Sequence, residues 1–432
     1  MPKRQPTGAR GPTAGAASEI AAQKGARSGD PSRARPLADS VLRLIWQERR
    51  ISRAEIARRA DLSRSTVSEI VGLLLPTGLV GEVGPGRSNG GRRPIVLEFQ
   101  DDAALLLGID IGAAHVTAVL TDLRGRVLAS RHRDHPVRTD PEGTRALAAE
   151  FCADCVATQK RGAKRLVGIG IAVPSPVDPS HPDRLSELVL PEWRGHGGFE
   201  MLRARFRVPL LIDNDANLGA LAEHWWGGGR GVNDFAYVKI ATGLGAGYVI
   251  GGEIYRGATG VAGEIGHLAI DPHGVPCICG LRGCLATLVG APALVERARA
   301  LRAEFPGSQL AANGLTIASI EDAALAGDPL ALQLVRETAG HLGIALAGLL
   351  NLMNPSMVIL GGGLSRLGEL LLAPLRDTVR RRTLVSSVTA AEIRVTELGT
   401  QAVAIGAATM VLKAALADSR LFPAAARRAE VA

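Results

Sequence analysis

Residues 263–284 read GEIGHLAIDPHGVPCICGLRGC, and this stretch constrains the fold more than any other part of the chain. Four soft metal ligands lie in it: His267, Cys277, Cys279 and Cys284. One imidazole and three thiolates are the ligand set of a closed structural zinc site, because catalytic sites keep one position open. Ordinary buried cysteines are the alternative, but three of the chain's five cysteines fall within eight residues, which burial does not require. The stretch predicts a loop folded around Zn²⁺.

The chain's 432 residues are too many for one compact domain and predict two or three. Its 46% hydrophobic and 21% charged residues are typical of globular proteins. No run of eighteen apolar residues is present, and the N-terminus lacks the apolar segment of a secretory signal. We therefore expect a cytoplasmic protein with no membrane partner, and the cysteine cluster fits a reducing compartment.

The positive charge is confined to one end of the chain. Residues 1–100 hold 17 Lys and Arg against 9 Asp and Glu, whereas residues 101–432 hold 33 of each. This segregation predicts that the N-terminal part faces nucleic acid. Residues 1–35 are rich in Gly, Ala, Pro, Ser and Arg without an apolar period, which predicts a disordered basic arm. The arm could contact DNA phosphates or serve only as a solubilising tail.

Residues 36–100 have the pattern of a winged helix-turn-helix domain. Apolar residues predict a first helix after Pro36, and Ser52 and Ser63 are good N-caps for a second and a third. The third helix has one apolar stripe with a polar face opposite, as in a recognition helix that enters the major groove. The candidate DNA contacts on that face are Arg64, Ser65, Thr66 and Ser68.

A Gly-rich loop with three further candidate DNA contacts, Arg87, Arg92 and Arg93, follows the third helix. The alternating apolar residues after it predict a β-wing with a basic tip, suited to a phosphate or a narrow minor groove. The alternative for the whole domain is a small helical protein-interaction module whose arginines form a solvated face. The charge excess favours a double-stranded DNA operator as the partner.

Residues 104–418 are predicted to form a two-lobed α/β body, followed by a tail at 419–432. The segment 105–130 reads as three short strands joined by Gly turns, and the segment 235–257 repeats the pattern. Each unit precedes helix-rich chain, which indicates a duplicated architecture with a cleft between two lobes.

GEIGH followed by C-x-C-G-x-x-G-C resembles the signature of the ROK family, which groups sugar kinases and sugar-responsive transcriptional repressors. The stretch S-R-A-E-I-A…L-S-R-S-T-V-S resembles the N-terminal domain of its repressors, which the kinases lack. The resemblance implies an actin- and hexokinase-like (ribonuclease H-like) sugar-kinase body with a structural zinc loop. It also implies that Glu264 and His267 contact a sugar, His267 being a zinc ligand as well.

The segment IDNDAN at 212–217 is similar to the family's N-D-A-N motif. The resemblance implies that Asn214 and Asp215 contact the sugar, although a strand-end Asn-Asp turn explains the same letters. In the kinases the aspartate of this motif takes the sugar proton. Asp215 would therefore be the base if this chain were a kinase.

The kinase pattern departs at the first loop, where D-I-G-G-T-K reads DIGAAH at 110–115. The threonine hydroxyl and the lysine charge are both missing, and such losses lower a rate by orders of magnitude. The sequence therefore predicts a regulator of carbohydrate-related genes, a repressor, that binds a sugar or sugar derivative and is not an enzyme. The alternative is a sugar kinase carrying a DNA-binding domain, with Asp215 as base.

The sugar side departs from the family pattern as well. The usual G-C-L-E has Ala286 in place of glutamate, and P-G-P-V reads PSPV at 174–177. The ligand could bind weakly, differ from glucose or be absent, in which case the body would be a dimerisation scaffold. We expect a homo-oligomer, a dimer or tetramer, because a two-fold operator requires one.

Overall fold

The computed structural model describes residues 31–85, 94–160, 162–311, 315–383 and 391–423. Within them the strands form one three-stranded sheet and two five-stranded sheets. The three-stranded sheet belongs to the N-terminal domain, which we call the head. The two larger sheets form the lobes of the body, as the duplicated strand pattern predicted.

The head contains three helices and a small antiparallel sheet of order β1-β3-β2. Its helices are α1 (Pro31–Glu48), α2 (Arg53–Ala60) and α3 (Arg64–Leu74), and its strands are β1 (Arg50–Ser52), β2 (Val80–Pro85) and β3 (Ile95–Phe99). A winged helix-turn-helix is thus confirmed. The first helix begins at Pro31, five residues before the predicted boundary, and residues 1–30 of the predicted arm lie outside the described residues.

The caps of α2 and α3 follow the sequence. Ser52 Oγ accepts a hydrogen bond from the Glu55 backbone N–H at 3.1 Å, and Ser63 Oγ accepts one from the Thr66 N–H at 3.0 Å. The letters S-R-A-E at residues 52–55 would also allow Glu55 to bond back to the Ser52 backbone N–H as a capping box, but this second bond is not formed. The Glu55 carboxylate turns to Arg58 and Arg59 instead, because two guanidinium groups offer stronger charge-assisted bonds than one backbone N–H.

The first lobe is built on a sheet of order β6-β5-β4-β7-β8. Its strands are β4 (Leu105–Ile111), β5 (His115–Thr121), β6 (Val127–Asp134), β7 (Leu166–Val173) and β8 (Leu210–Asn214). The first three pair antiparallel, while β7 and β8 add in parallel. Every residue of β7 is buried, as expected of a central strand covered on both faces. The helices of this lobe are α4 (Pro141–Ala157), α5 (Gly162–Arg165), α6 (Glu200–Phe206) and α7 (Asp215–Trp225).

The second lobe repeats this topology in the order β11-β10-β9-β12-β13. Its strands are β9 (Phe235–Ile240), β10 (Leu244–Ile250), β11 (Glu253–Tyr255), β12 (Met357–Gly361) and β13 (Glu392–Val395). Its helices are α8 (Ala286–Val289), α9 (Ala291–Leu301), α10 (Ile317–Leu325), α11 (Pro329–Met353) and α12 (Glu369–Arg382). The long α11 and α12 pack along each other and cover the sheet.

The last helix, α13 (Ala402–Ala417), joins the head to the body. It packs against β4 and β7 of the first sheet, against α7 and against α1 of the head. One apolar core runs through all of them, and it includes Val41 and Ile45 of the head together with Val411 and Leu412 of α13. The head is therefore not a separate globule on a linker, because its core is completed by the body.

Among the described residues, Gly399–Ala417 is long and apolar enough to cross a membrane by length and composition alone, with a mean hydropathy of 1.4. However, 67% of this window is buried inside the protein, as in the core helix of a folded domain. The predicted tail also begins later than residue 419. Phe422 is buried against the head, and the Ser419 backbone N–H donates to Asp39 Oδ1 at 3.1 Å.

Candidate effector site and DNA-binding surface

A cavity of about 710 Å³ lies in the cleft between the two lobes. The four candidate effector residues all line it: Asn214, Asp215, Glu264 and His267. The first two come from the end of β8 and the start of α7, and the other two come from the second lobe. The structure thus brings together residues that lie about fifty positions apart in the sequence.

Asn214 is held mainly by the protein itself. Its side-chain oxygen caps α7 by accepting hydrogen bonds from the backbone N–H groups of Ala216 and Asn217 at 2.9 and 3.2 Å. Its amide nitrogen donates to the Ser175 carbonyl at 3.1 Å. The side-chain oxygen of Asn214 thus serves the turn at the end of the strand, which is the alternative that the sequence left open. The amide nitrogen has a second proton, which remains available to a ligand in the cavity.

Asp215 is paired with Lys239, a residue that the sequence analysis did not single out. Lys239 Nζ lies 2.7 Å from Asp215 Oδ2 and 4.0 Å from Asp110 Oδ1. Burial disfavours the charged form of Lys239, but the two carboxylates outweigh it and raise the pKa of Lys239. Burial likewise opposes the charge on Asp110, but Lys239 and then His115 lower the pKa of Asp110 below its ordinary value. Both shifts favour the ionised forms of Asp110 and Lys239.

Glu264 lies within reach of both Asp215 and the cysteine cluster. Burial, with a smaller contribution from the charge of Asp215, raises the pKa of Glu264 to about 7. Its Oε2 is 3.9 Å from His267 Nε2. A carboxyl group of this kind can donate or accept a hydrogen bond near neutral pH, which suits contact with a hydroxyl group.

The predicted metal ligands meet at the rim of the cavity. One ligand atom from each of His267, Cys277, Cys279 and Cys284 lies within 4.8 Å of the others. Cys277 Sγ is 3.5 Å from His267 Nδ1, and Cys279 Sγ is 3.6 Å from Cys284 Sγ. Zn–S bonds of about 2.3 Å in a tetrahedron place two sulfur atoms about 3.8 Å apart, so this donor set fits such an ion.

The imidazole of His267 connects the metal ligands with the cavity. Nδ1 faces the sulfur atoms, whereas Nε2 faces Glu264. Burial lowers the pKa of His267, which favours the neutral ring that a metal requires. A metal ligand whose second ring nitrogen faces a carboxyl group has its tautomer and orientation fixed.

Two hairpin loops border the other end of the cavity. The first loop contributes Ala113 and His115, and the second contributes residues 242–245. His115 Nε2 bonds to Asp110 Oδ2 at 3.1 Å, and a Cβ atom placed on Gly112 would lie 2.3 Å from the His115 ring. The ring therefore lies over its own loop. Apart from Gly243 and its two chain neighbours, no atom of the described residues lies within 4 Å of the corresponding point on Gly243 in the second loop.

Sequence reasoning missed several lining residues besides Lys239, among them Arg138 and Thr287. Neither lies in a motif, and no local pattern marks them. The two departures from the sugar-side pattern do line the cavity, since Ala286 and Ser175 are part of its wall.

The candidate DNA contacts lie on the outer face of α3. Arg64, Ser65 and Ser68 are exposed and Thr66 is half-buried, while Val67, Ile70, Val71 and Leu74 face the core. Ser65 and Thr66 share hydrogen bonds with the Ser63 hydroxyl, which fixes their side chains at the helix start. The wing strands β2 and β3 pair antiparallel beside α3, whereas Arg87, Arg92 and Arg93 lie outside the described residues.

Other arginines of the head are neutralised within it. Each of four of them lies within 2.7 Å of a glutamate, the pairs being Arg50–Glu98, Arg53–Glu82, Arg58–Glu55 and Arg59–Glu48. The charge of these four arginines is therefore compensated within the head, and the sequence-predicted contact Arg64 lies on the exposed face of α3 instead.

Comparison with known proteins identifies both domains. Residues 106–414 match the family model described as "ROK family". The chain belongs to the ROK family. Residues 40–80 match a second model, "Winged helix-turn-helix DNA-binding". The ROK body and the head found in the structure are thus both recognised independently.

Regulators of the ROK family resemble the chain over most of its length. It is 32% identical over 376 residues to the xylose repressor of Caldicellulosiruptor bescii, covering 86% of this chain and 94% of that protein. It is also 32% identical over 379 residues to the DNA-binding transcriptional dual regulator NagC of Escherichia coli, a match that covers 87% of this chain and 92% of NagC.

Solved ROK structures include both branches of the family. A ROK family transcriptional regulator, a homologue of the E. coli MLC protein, superposes with a TM-score of 0.72 at 27% identity and covers 89% of this chain and 96% of its own. A ROK glucokinase from Streptomyces griseus, solved with glucose and AMPPNP, superposes with a TM-score of 0.64 at 32% identity. That match covers 71% of this chain and 99% of the glucokinase. The glucokinase match leaves more than a quarter of this chain uncovered, whereas the regulators extend into the head.

Proposed function

We propose that this protein is a sugar-responsive transcriptional repressor, in which the cleft binds a sugar or sugar derivative and thereby changes the affinity of the head for DNA. The observation that carries the proposal is the shared core of head and body beside a cavity lined by Asn214, Asp215, Glu264 and His267. Relatives named as xylose repressor and as N-acetylglucosamine repressor support it, since they align across both domains.

Helix α7 provides the physical link between cavity and head. Its first residue, Asp215, lines the cavity, and its last residue, Trp225, packs against Trp46 of the head with ring centroids 5.3 Å apart. Asp215 to His224 are all buried, so the helix cannot bend into solvent. A displacement at one end of a short buried helix reaches the other end because packed interiors are nearly incompressible.

The contact between the head and the body includes hydrogen bonds and a cation–π contact in addition to apolar packing. Trp46 Nε1 donates to the Leu123 carbonyl at 3.0 Å, and the Arg124 guanidinium lies 4.7 Å from the centroid of the Trp46 ring. Trp226 Nε1 donates to Thr409 Oγ1 of α13 at 2.7 Å. Directional contacts therefore fasten the head to the turn between β5 and β6, and the end of α7 to α13, in addition to the apolar packing.

Zn²⁺ is the metal that fits the Cys₃His donor set, and we propose it as a structural cofactor. Bound at these ligands, it would stabilise the loop from His267 to Cys284 at the rim of the cavity. His267 itself would orient Nε2 toward the ligand. The metal would thus act on effector binding through the position of a side chain and not as a Lewis acid.

We propose no kinase activity for this chain. At the first loop, Ala113 and His115 stand where the family's kinases carry a glycine and a lysine, and the His115 ring lies over Gly112. Asp215, the candidate base in the N-D-A-N motif, has one carboxylate oxygen already bonded to the Lys239 ammonium at 2.7 Å, so that oxygen is not free to accept a sugar proton. An assay with ATP and a panel of hexoses checks this, and turnover that disappears in Asp215→Asn would establish the kinase alternative.

The proposal is tested by fluorescence anisotropy with the full-length, zinc-loaded protein. Promoter fragments and random duplex are compared at one fixed salt concentration, because salt alone changes such affinities by orders of magnitude. D-xylose, N-acetylglucosamine and D-glucose are then added. We expect preferential binding to one promoter fragment and its release by at least one sugar, with release abolished in Glu264→Gln.

Three further variants complete this experiment. Asp183→Asn, an exposed carboxylate in the first lobe, should release DNA as the wild type does. Arg64→Ala should weaken DNA binding about tenfold and lower the salt slope by about one, whereas Arg58→Ala, already paired with Glu55, should change little. Equal affinity for promoter and random DNA would contradict the proposal.

We further propose that the protein is a cytoplasmic dimer or tetramer. Light scattering at the concentration used for DNA binding checks the oligomeric state.

A further inference from the structure

Lys239 crosses from one lobe to the other inside the cavity. It belongs to β9 of the second sheet, whereas Asp110 lies on β4 and Asp215 starts α7, both in the first lobe. The side chains of Lys239, Asp110 and Asp215 are 10%, 3% and 11% exposed. Asp110 Oδ1, 4.0 Å from the ammonium, is a buried oxygen without a hydrogen-bond partner among the described residues.

The direction of Lys239 follows from strand periodicity. Val238 and Ile240 belong to the apolar core of the second lobe, so Tyr237 and Lys239 face the opposite side of the sheet. That side packs against α7, where the Tyr237 ring meets Gly219. The strand thus delivers the ammonium to the start of α7, beside Asp215.

Two buried carboxylates at one site need a compensating positive charge. A phosphoryl-transfer site obtains it from divalent cations bound by carboxylate and phosphate oxygens. In this chain a covalently attached ammonium already lies between the two carboxylates. It bonds to one and leaves the facing oxygen of the other without a donor.

We propose that Lys239 is a specificity-determining residue that acts as a built-in cation, occupying the place a divalent metal would take between Asp110 and Asp215. It thereby excludes a metal–nucleotide complex and keeps Asp215 as a fixed hydrogen-bond acceptor for the hydroxyl groups of an uncharged ligand. This inference rests on the proposed function, because it describes how a kinase-like chamber binds without catalysing.

The test is titration of zinc-loaded, full-length protein with Mn²⁺, followed by electron paramagnetic resonance of the free ion. Lys239→Ala removes the ammonium and opens space between the carboxylates. We expect it to bind one Mn²⁺ at least about tenfold more tightly than the wild type. The double variant Asp110→Asn/Lys239→Ala should lose this gain, and Lys413→Met, which removes an exposed ammonium paired with Glu253, should behave as the wild type.

The proposal is overturned if Lys239→Ala gains no Mn²⁺ affinity, since the carboxylates would then be neutralised by protons alone. It is also overturned if the wild type binds Mn²⁺ equally well, or if the gain survives in the double variant. Should Lys239→Ala fail to fold, Lys239→Thr, a residue suited to a strand that also frees the space between the carboxylates, is titrated with the same expectation. DNA binding and sugar release are measured separately on the wild type, so failure of the proposed function is distinguished from failure of this inference.

Discussion

The two lobes share one topology and differ in what is attached to it. Each sheet has three antiparallel strands followed by two parallel ones, and each sends a hairpin loop toward the cavity. In the first lobe the loop is covered by His115, and the sheet packs against α13 and, through it, the head. In the second lobe the loop is open and the chain continues into the Cys₃His cluster. A duplicated fold can therefore divide sensing and transmission between its copies.

The largest effect should come from the Cys₃His group of the second lobe, the proposed zinc site. Cys284→Ser removes one of three thiolates, and because structural zinc contributes directly to folding, we expect loss of the metal and of several kcal/mol of stability. Metal content by mass spectrometry and thermal unfolding measure both. Cys152→Ala, a buried cysteine of the first lobe, is the control and should keep its full metal content. Retention of zinc by Cys284→Ser would show that this residue is not a ligand.

The second-largest effect should come from α13, which packs against the sheet of the first lobe. A Cβ atom on Gly406 would lie 1.8 Å from the Leu218 carbonyl oxygen of α7, a backbone atom that cannot turn aside. Gly406→Ala should lower the free energy of unfolding by about 3 kcal/mol. Gly348→Ala in α11, where nothing lies within 4 Å, should be neutral or stabilising. Denaturant unfolding of both variants decides whether the first lobe depends on this close helix contact.

A smaller effect should separate the contribution of a tryptophan to folding stability from its contribution to the coupling between sugar binding and DNA binding. Trp46→Phe loses the bond to the Leu123 carbonyl, and Trp193→Phe loses an equivalent bond of 2.8 Å to the Val137 carbonyl within the first lobe. Each should lower the unfolding free energy by about 1 kcal/mol. Only Trp46→Phe should also reduce the change in DNA affinity that a bound sugar produces. If both variants reduced this change in DNA affinity equally, Trp46 would have no specific role in coupling sugar binding to DNA binding.

The smallest effect compares the two hairpins directly. Gly112→Ala must displace the His115 ring, which is partly exposed and can rotate, so we expect a loss below about 1 kcal/mol. Gly243→Ala in the second loop meets no atom within 4 Å and should be neutral. Thermal unfolding of both variants measures the difference. A larger loss for Gly243→Ala would contradict the view that the second loop is the open one.

Local signals predicted most of the fold. The N-caps Ser52 and Ser63 placed two head helices, the apolar stripe of α3 placed its buried face, and the repeated strand–glycine pattern predicted both sheets. The Cys₃His group could be recognised because its members lie close together in the sequence, and the structure brings them together. These features depend on residues close together in sequence, where periodicity and turn chemistry act directly.

Contacts between distant residues were not predictable in the same way. Lys239 looked like any polar residue in a strand, and only the packing of β9 against α7 shows that it meets Asp215. The shared core of head and body likewise depends on Trp46 meeting Trp225, residues far apart in the chain. The domain boundary at residue 100 therefore appeared sharper in the sequence than it is in the structure.

The order of synthesis gives the position of α13 a further consequence. The head is synthesised before this helix, yet Val41 and Ile45 share an apolar cluster with Val411 and Leu412. Until α13 has been made, the nascent head lacks part of its core and exposes apolar surface, which favours aggregation. We therefore expect a chain truncated before α13 to fold its head poorly, so that a well-formed DNA reader comes with a finished body.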